Sequence, residues 1–401
     1  MGDRVIGEVL LLAGTRPEAV KIAPVAMAMA GHPALCPVIV HGGQHTRMVH
    51  QALQPFGLRP DVELSVDRRN GSQAELVSAV LPALDELIVQ RRPAAILVHG
   101  DTSTTLAGAL AGFWRRVPVV HLEAGLRSGD LSAPYPEEGS RQMVARIAAL
   151  HLAPTAAAAA ALRAEAVPCH RIVVTGNTVV DAVQHIARID LPPENPAVSA
   201  VEHRVDAEGA RLMLVTAHRR ESWGEPLDRV LAAVRTIVER YQDLVVLLPV
   251  HPNPAVGAQV RAALGDHQRV AITGPLGYPD LVRVLRIADL VLTDSGGIQE
   301  EAPSFGTPVL VLRDVTERRE AVDAGCAWLV GTESGRIAAQ ADRVLLSQQR
   351  ISLSRNPYGD GRASGRVVAE LARLLCLSRV RGEAETTLST VDAAPLPPQP
   401  R

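Results

Sequence analysis

Aromatic side chains are scarce. Phe, Trp and Tyr together make up 2% of the 401 residues, so platforms for stacking bases or sugar rings must be few. An excess of either charge is lacking as well. There are 41 basic and 43 acidic residues, a formal net charge of -2, and nothing in that balance points to nucleic acid or an anionic membrane as the main partner. The four cysteines, Cys36, Cys169, Cys326 and Cys376, lie far apart and form no CxxC pair. That spacing reads as reduced core thiols of a cytosolic protein rather than a disulfide framework. No apolar run approaches the roughly 20 residues of a spanning helix. The early apolar stretch Val9–Ala13 is short and leads into a polar motif, as a first strand does and a signal peptide does not. Gly2 follows Met1, but Ile6 stands where a myristoylation signal needs Ser or Thr.

Known chemical fingerprints are also missing. The chain has no GxGxxG, no Walker A loop and no nucleophile elbow. Among its 13 histidines, His41 and His45 are spaced for one helix face, but Gly42 and Gly43 between them argue against a helical ligand pair. Neither metal nor nicotinamide is therefore expected.

What is present is length and repetition. Hydrophobic residues, chiefly Ala, Val and Leu, reach 47%. That suffices for two cores of about 180 residues each. Short apolar runs alternate with amphipathic, alanine-rich stretches, the pattern of parallel strands covered by helices on both faces. Strands are expected at Val9–Ala13, Val38–His41, Ala94–Val98, Val117–Leu122, Leu150–Ala153 and Ile172–Val174 in the first half. In the second half they are expected at Leu212–Thr216, Leu244–Val250, Val270–Ile272, Leu290–Leu292, Val309–Leu312 and Trp328–Val330. The fold class is thus α/β, with two Rossmann-like domains. The first spans residues 1–176 and is joined by a final amphipathic helix at about 363–377; the second spans 177–362. Residues 381–401, rich in Glu, Thr, Ser and Pro, are too poor in apolar surface to fold and are expected to be disordered.

In such sheets ligands bind beyond the carboxyl ends of the strands, and polar residues are dense there. After the first strand comes Gly14-Thr15-Arg16-Pro17-Glu18-Ala19-Val20-Lys21, with Arg16 and Lys21 beside a helix start that favours an anion. Four carboxylates follow later strands: Asp101 in His99-Gly100-Asp101-Thr102, Glu123 in His121-Leu122-Glu123-Ala124-Gly125-Leu126-Arg127, and Glu137 and Glu138 after Pro136. Acids gathered in one place shift one another's pKa and supply a general acid and base. In the second half, Asp294-Ser295-Gly296-Gly297-Ile298-Gln299-Glu300-Glu301 forms a turn whose bare N–H groups suit a diphosphate, with Glu301 available to ribose hydroxyls. Arg318 lies in a further basic turn.

Together these motifs, with Gly43-Gln44-His45, Thr216-Ala217-His218-Arg219-Arg220-Glu221 and Asn356-Pro357-Tyr358-Gly359-Asp360-Gly361, resemble the bacterial non-hydrolysing UDP-N-acetylglucosamine 2-epimerases over about Val9 to Leu377. The resemblance implies a glycosyltransferase-B-like fold with parallel sheets facing across a cleft, and a final helix that crosses back to the first domain. It implies that Arg16, His218, Ser295, Glu301 and Arg318 hold UDP, with Lys21, Gly296 and Gly297 beside them. Asp101, Glu123, Glu137, Arg141 and His218 match the catalytic positions. Gln44, Arg69 and His251 fall where some members bind a second, activating UDP-N-acetylglucosamine. It also implies a cytoplasmic homodimer that needs no cofactor and has the UDP-sugar as its partner. The chain departs from the family pattern at Ser140, usually Asn, and at Arg319, usually Pro; Arg47 lies in the regulatory segment.

The implied chemistry suits the residues. Loss of UDP from C1 with the C2 proton gives a 2-acetamidoglucal, and readdition with protonation of the other face gives the manno epimer. Rival readings are a hydrolysing 2-epimerase that releases N-acetylmannosamine, a glycosyltransferase of the same fold, and a nucleotide-sugar sensor.

Overall fold

The computed structural model describes residues 7–44, 46–66, 71–217, 219, 222–347 and 350–376. They form two all-parallel sheets. The first contains β1 (Gly7–Ala13), β2 (Leu35–His41), β3 (Val62–Glu63), β4 (Ala95–His99), β5 (Val119–Leu122), β6 (Leu150–Ala153) and β7 (Ile172–Val174), in the order β3-β2-β1-β4-β5-β6-β7. The second contains β8 (Arg211–Thr216), β9 (Leu244–Pro249), β10 (Val270–Thr273), β11 (Leu290–Thr293), β12 (Val309–Val311) and β13 (Ala327–Leu329), in the order β10-β9-β8-β11-β12-β13. Twelve of these strands answer to the expected runs; β3 was not foreseen. It is two residues long, pairing Val62 with Val40 and Glu63 with His41, too short to carry a pattern.

Both faces of each sheet are covered, which is why the strands read as unbroken apolar runs. In β1, Val9, Leu11 and Ala13 join the core beneath the helix Arg16–Ala30, whereas Leu10 and Leu12 join a separate core with Leu76, Val80 and Leu84 of the helix Gln73–Arg91. In β8, Met213 and Val215 go one way and Leu212 and Leu214 the other. The period-two alternation of a strand is thus spent on two apolar layers.

The strand order reverses between β1 and β4, and again between β8 and β11. Loops diverging at these two switch points leave a crevice at the carboxyl ends of the strands. The helix Thr178–Ile189 ties the halves together. Its Ala182, Val183 and Ile186 enter the first sheet's core, while Val179 and Val180 enter the second's. The chain returns beside it: Asn177 N donates to Tyr358 O at 2.8 Å. The final helix, 363–376, then lays Val367, Val368, Leu371 and Leu375 into the first core. Asp181 caps that helix, accepting from Ala363 N at 3.1 Å and Ser364 N at 2.8 Å.

The cysteines depart from expectation. All four are free, but only Cys326 is buried; Cys36, Cys169 and Cys376 are exposed. They sit at a strand beginning, in a 3₁₀ turn and at a helix end, where apolar packing is thin. Among the described residues no helix is long and apolar enough to cross a membrane.

Candidate active site

The loop after β1 is shaped by close packing. A Cβ on Gly14 would lie 2.4 Å from Thr104 Oγ1, and one on Gly42, after β2, would lie 2.5 Å from Thr104 Cγ2. Glycine at both positions lets these loops and the helix Ser103–Trp114 meet. Glu18, buried, folds the turn onto itself: its Oε2 accepts from Gly14 N at 2.8 Å and Thr15 N at 2.7 Å. Its Oε1 accepts from Thr102 and Thr105 hydroxyls at 2.6 and 3.0 Å. This acid is scaffold, and it leaves Arg16 at the helix start to reach Leu276 O of the opposite half at 3.4 Å.

The four expected carboxylates divide into distinct kinds. Asp101 accepts from Arg141 Nε at 2.8 Å, and Arg141 in turn donates to Glu138 Oε2 at 3.1 Å. Glu138 has no exposed surface. Burial works against its charge, but Ser128 N, Gln142 and Arg141 outweigh that and hold its carboxyl below the usual range. It serves as a tie beneath the site. Its neighbour Glu137 opens the helix Glu137–Ile147 and is only half-buried, since adjacent helical residues point roughly 100° apart.

Glu123 follows β5 in the left-handed region, at φ 60°. Its Oε2 accepts from Lys21 Nζ and, at 3.2 Å, from Asn177 Nδ2; His99 Nε2 lies 3.5 Å from the same oxygen. Burial alone would raise the Glu123 carboxyl, yet Lys21 and His99 hold it well below the usual carboxylate range. Beneath it, His121 Nε2 meets Gly100 O at 2.8 Å, so Nε2 carries the proton. Burial pushes His121 down to about 3 and its neighbour His151 down to about 4, keeping both rings neutral.

Opposite stand the loops after β8 and β11. Asp294, with no exposed surface, accepts from Arg219 N and Ser222 Oγ, both at 3.0 Å, and so draws the two loops together. His218 falls in this stretch but lies outside the described residues. Ser295 caps a helix of six residues, Gly296–Glu301. The Arg318 guanidinium lies over Gly296: a Cβ there would come within 2.8 Å of Arg318 Cζ. Arg319, one residue on, is exposed.

The two halves meet through buried charge. Lys21 Nζ bridges Glu123 and, at 2.6 Å, Glu300 Oε2; Arg318 Nε donates to Glu300 Oε1 at 3.0 Å. Burial tends to lower the Lys21 ammonium, but the two carboxylates outweigh it and raise it. Lys21, expected beside a diphosphate, therefore sits between two acids. Burial pushes Glu301 up to about 7, against the pull of Arg16 and Lys21. Nearby, the buried Tyr278 hydroxyl has no hydrogen-bond partner among the described residues, and its ring stacks on Phe56 at 6.3 Å. Thr155 Oγ1 donates to Glu320 at 2.7 Å, a further tie across the halves.

Of the proposed regulatory residues, Gln44 accepts from Thr104 Oγ1 at 3.1 Å, and the His251 ring packs on Trp223 at 5.3 Å. Arg69 lies outside the described residues, as do residues 381–401. Sequence reasoning passed over Glu300, His99 and Asn177 as site members. Their signal was position alone: His99 and Glu300 stand inside motifs already singled out, and Asn177 opens the second half just after the boundary at 176.

The comparisons agree with the residue pattern. Residues 27–372 match the family model described as UDP-N-acetylglucosamine 2-epimerase. The UDP-N-acetylglucosamine 2-epimerase of Bacillus subtilis (strain 168) is 42% identical, with 91% of this chain and 94% of that protein covered. That of Yersinia pestis is 42% identical, with 91% and 98% covered. The crystal structure of the Neisseria meningitidis UDP-GlcNAc 2-epimerase bound to UDP-GlcNAc is 35% identical, superposes with a TM-score of 0.82, and covers 91% of this chain and all (100%) of its own. Two parallel sheets in a glycosyltransferase-B-like arrangement, the motif series and this shared length lead to one conclusion: the chain belongs to the UDP-N-acetylglucosamine 2-epimerase family and is an isomerase.

Proposed function

We propose that the protein interconverts UDP-N-acetylglucosamine and UDP-N-acetylmannosamine without net hydrolysis, by elimination and readdition of UDP. The observation that carries this reading is Glu123. Three neighbours engage its Oε2, and the other oxygen has no ion pair or hydrogen bond among the described residues. An anchored carboxylate with one oxygen to spare is suited to move a proton at C2. In the forward step the C2–H bond gives its proton to a base, its electrons form the C1–C2 double bond, and the C1–O bond breaks toward UDP. In the return, a UDP oxygen closes on C1 while C2 is protonated on the opposite face.

Roles follow from place. Ser295 offers its hydroxyl, Gly296 and Gly297 their N–H groups and Arg318 its guanidinium to the leaving diphosphate, with Arg16 from the facing half; His218, assigned to UDP by the resemblance, lies outside the described residues. Such prepositioned donors act where charge develops. Glu301 suits ribose hydroxyls. Glu137, half-buried and not tied down like Glu138, is the second proton carrier, and the Asp101–Arg141 pair at 2.7 Å fixes the floor. Residues 1–176 with the final helix form the catalytic domain and 177–362 the nucleotide domain.

The test is product analysis by NMR after incubation with UDP-N-acetylglucosamine in deuterated water. UDP-N-acetylmannosamine carrying deuterium at C2 is the expected product. Protium retained there would refute elimination, and accumulation of free N-acetylmannosamine with UDP would assign the hydrolysing reaction instead.

A further inference from the structure

The mechanism above leaves Glu300 without a role, although it is 2% exposed and stands between two cations. One oxygen takes Arg318 Nε at 3.0 Å and the other takes Lys21 Nζ at 2.6 Å. Arg318 comes from its own half and lies over the Gly296 turn; Lys21 comes from the facing half and also holds Glu123. A buried ion cluster contributes little to stability, because desolvation offsets much of the attraction. Its cost makes sense where it sets geometry.

We propose that Glu300 is a positioning residue: by sharing Lys21 with Glu123, it makes the basicity and placement of Glu123 depend on the nucleotide half being seated against the first. The proposal rests on the epimerase reading. With both halves in contact, one ammonium serves two carboxylates, so neither is neutralised in full. With Glu300 absent, the whole of that charge falls on Glu123, which becomes a poorer proton acceptor. The charges facing Glu123 are Lys21 from the helix Arg16–Ala30, His99 from β4 and Arg318 from the second half; Asn177 is its neutral donor. Glu300 alters the first directly and anchors the third. The arrangement would thus report nucleotide docking to the carboxylate that moves the proton.

The test is a double-mutant cycle on the full chain. Glu300→Gln should lower kcat by roughly 10- to 100-fold, within the range of a positioned proton carrier, while KM changes by less than about threefold because Arg318 keeps Glu317. In a Glu123→Gln background the same substitution should change single-turnover rate by less than about twofold, since its effect travels through Glu123. Additive losses in the two backgrounds would overturn the proposal, as would a wild-type kcat in Glu300→Gln. Should Glu300→Gln fail to fold, Glu300→Asp keeps the charge but cannot span both cations; the same vanishing of its effect in the Glu123→Gln background is expected, and additivity would again refute. If the wild-type protein does not exchange C2 hydrogen at all, the epimerase reading falls and this proposal with it; if it exchanges and the variants do not differ, only the proposal falls.

Discussion

At the scale of single residues, the site separates acids that build from acids that act. Glu18 and Glu138 are saturated with donors, whereas Glu123 keeps one oxygen unengaged among the described residues and Glu137 is half-buried. Glu123→Gln and Glu137→Gln should therefore each lose roughly 10²–10⁴-fold in single-turnover rate with melting temperature and UDP affinity near wild type. Stable variants with near-normal rates would end that assignment. Glu301 gives a second expectation. Its carboxyl rises from an ordinary 4.5 to about 7 on folding. Below the lower value it is protonated in both states and costs nothing. As pH rises through this window the unfolded chain releases the proton first, so stability falls, in full by on the order of 3 kcal/mol. Denaturation of the ligand-free protein at about pH 5 and about pH 8 should show Glu301→Gln gaining on the wild type at the higher pH; parallel profiles would refute it. Adjacent Glu137 and Glu138 show what sequence conceals at this scale. Both were visible as candidates, but only the helix start at Glu137 decides which faces the crevice.

At the scale of elements, the turn Ser295-Gly296-Gly297 depends on what lies over it. A methyl group at Gly296 would displace the Arg318 guanidinium, which Glu300 and Glu317 hold in place and which cannot swing aside freely. Gly296→Ala should weaken UDP binding about as Arg318→Ala does, by roughly 1.5–3 kcal/mol for the charge-assisted contact. Calorimetry showing unchanged UDP affinity in both variants would remove Arg318 from the diphosphate. Most elements were legible because buried parallel strands are uninterrupted apolar runs: β1 and β8 fell within a residue or two of their expected bounds. What was not legible, β3 and the ion pairs across the halves, has no local pattern; it arises from residues as far apart as Lys21 and Glu300.

At the scale of the whole molecule, chain order and core membership part company. Leu371, near the end of the described chain, has no exposed surface and belongs to the same core as Val9 and Leu11. Leu371→Ala should cost roughly 2–5 kcal/mol, and hydrogen exchange should show the loss of protection in β1 and β4 rather than in β8 and β11. Protection lost first in the second sheet would contradict this core assignment. The final helix could be drawn from its amphipathic pattern, but the partner it covers is set by the return of the chain at Tyr358 and the cap at Asp181. This double crossing has a consequence for recombination. Exchanging the nucleotide half with that of a relative requires two junctions, one after Ile189, since the helix Thr178–Ile189 packs into the first core, and one before Ala363. A chimera made at the first junction alone would carry a foreign terminal helix into a native core, so functional shuffling of these halves demands that the middle of the gene be inserted rather than its end replaced.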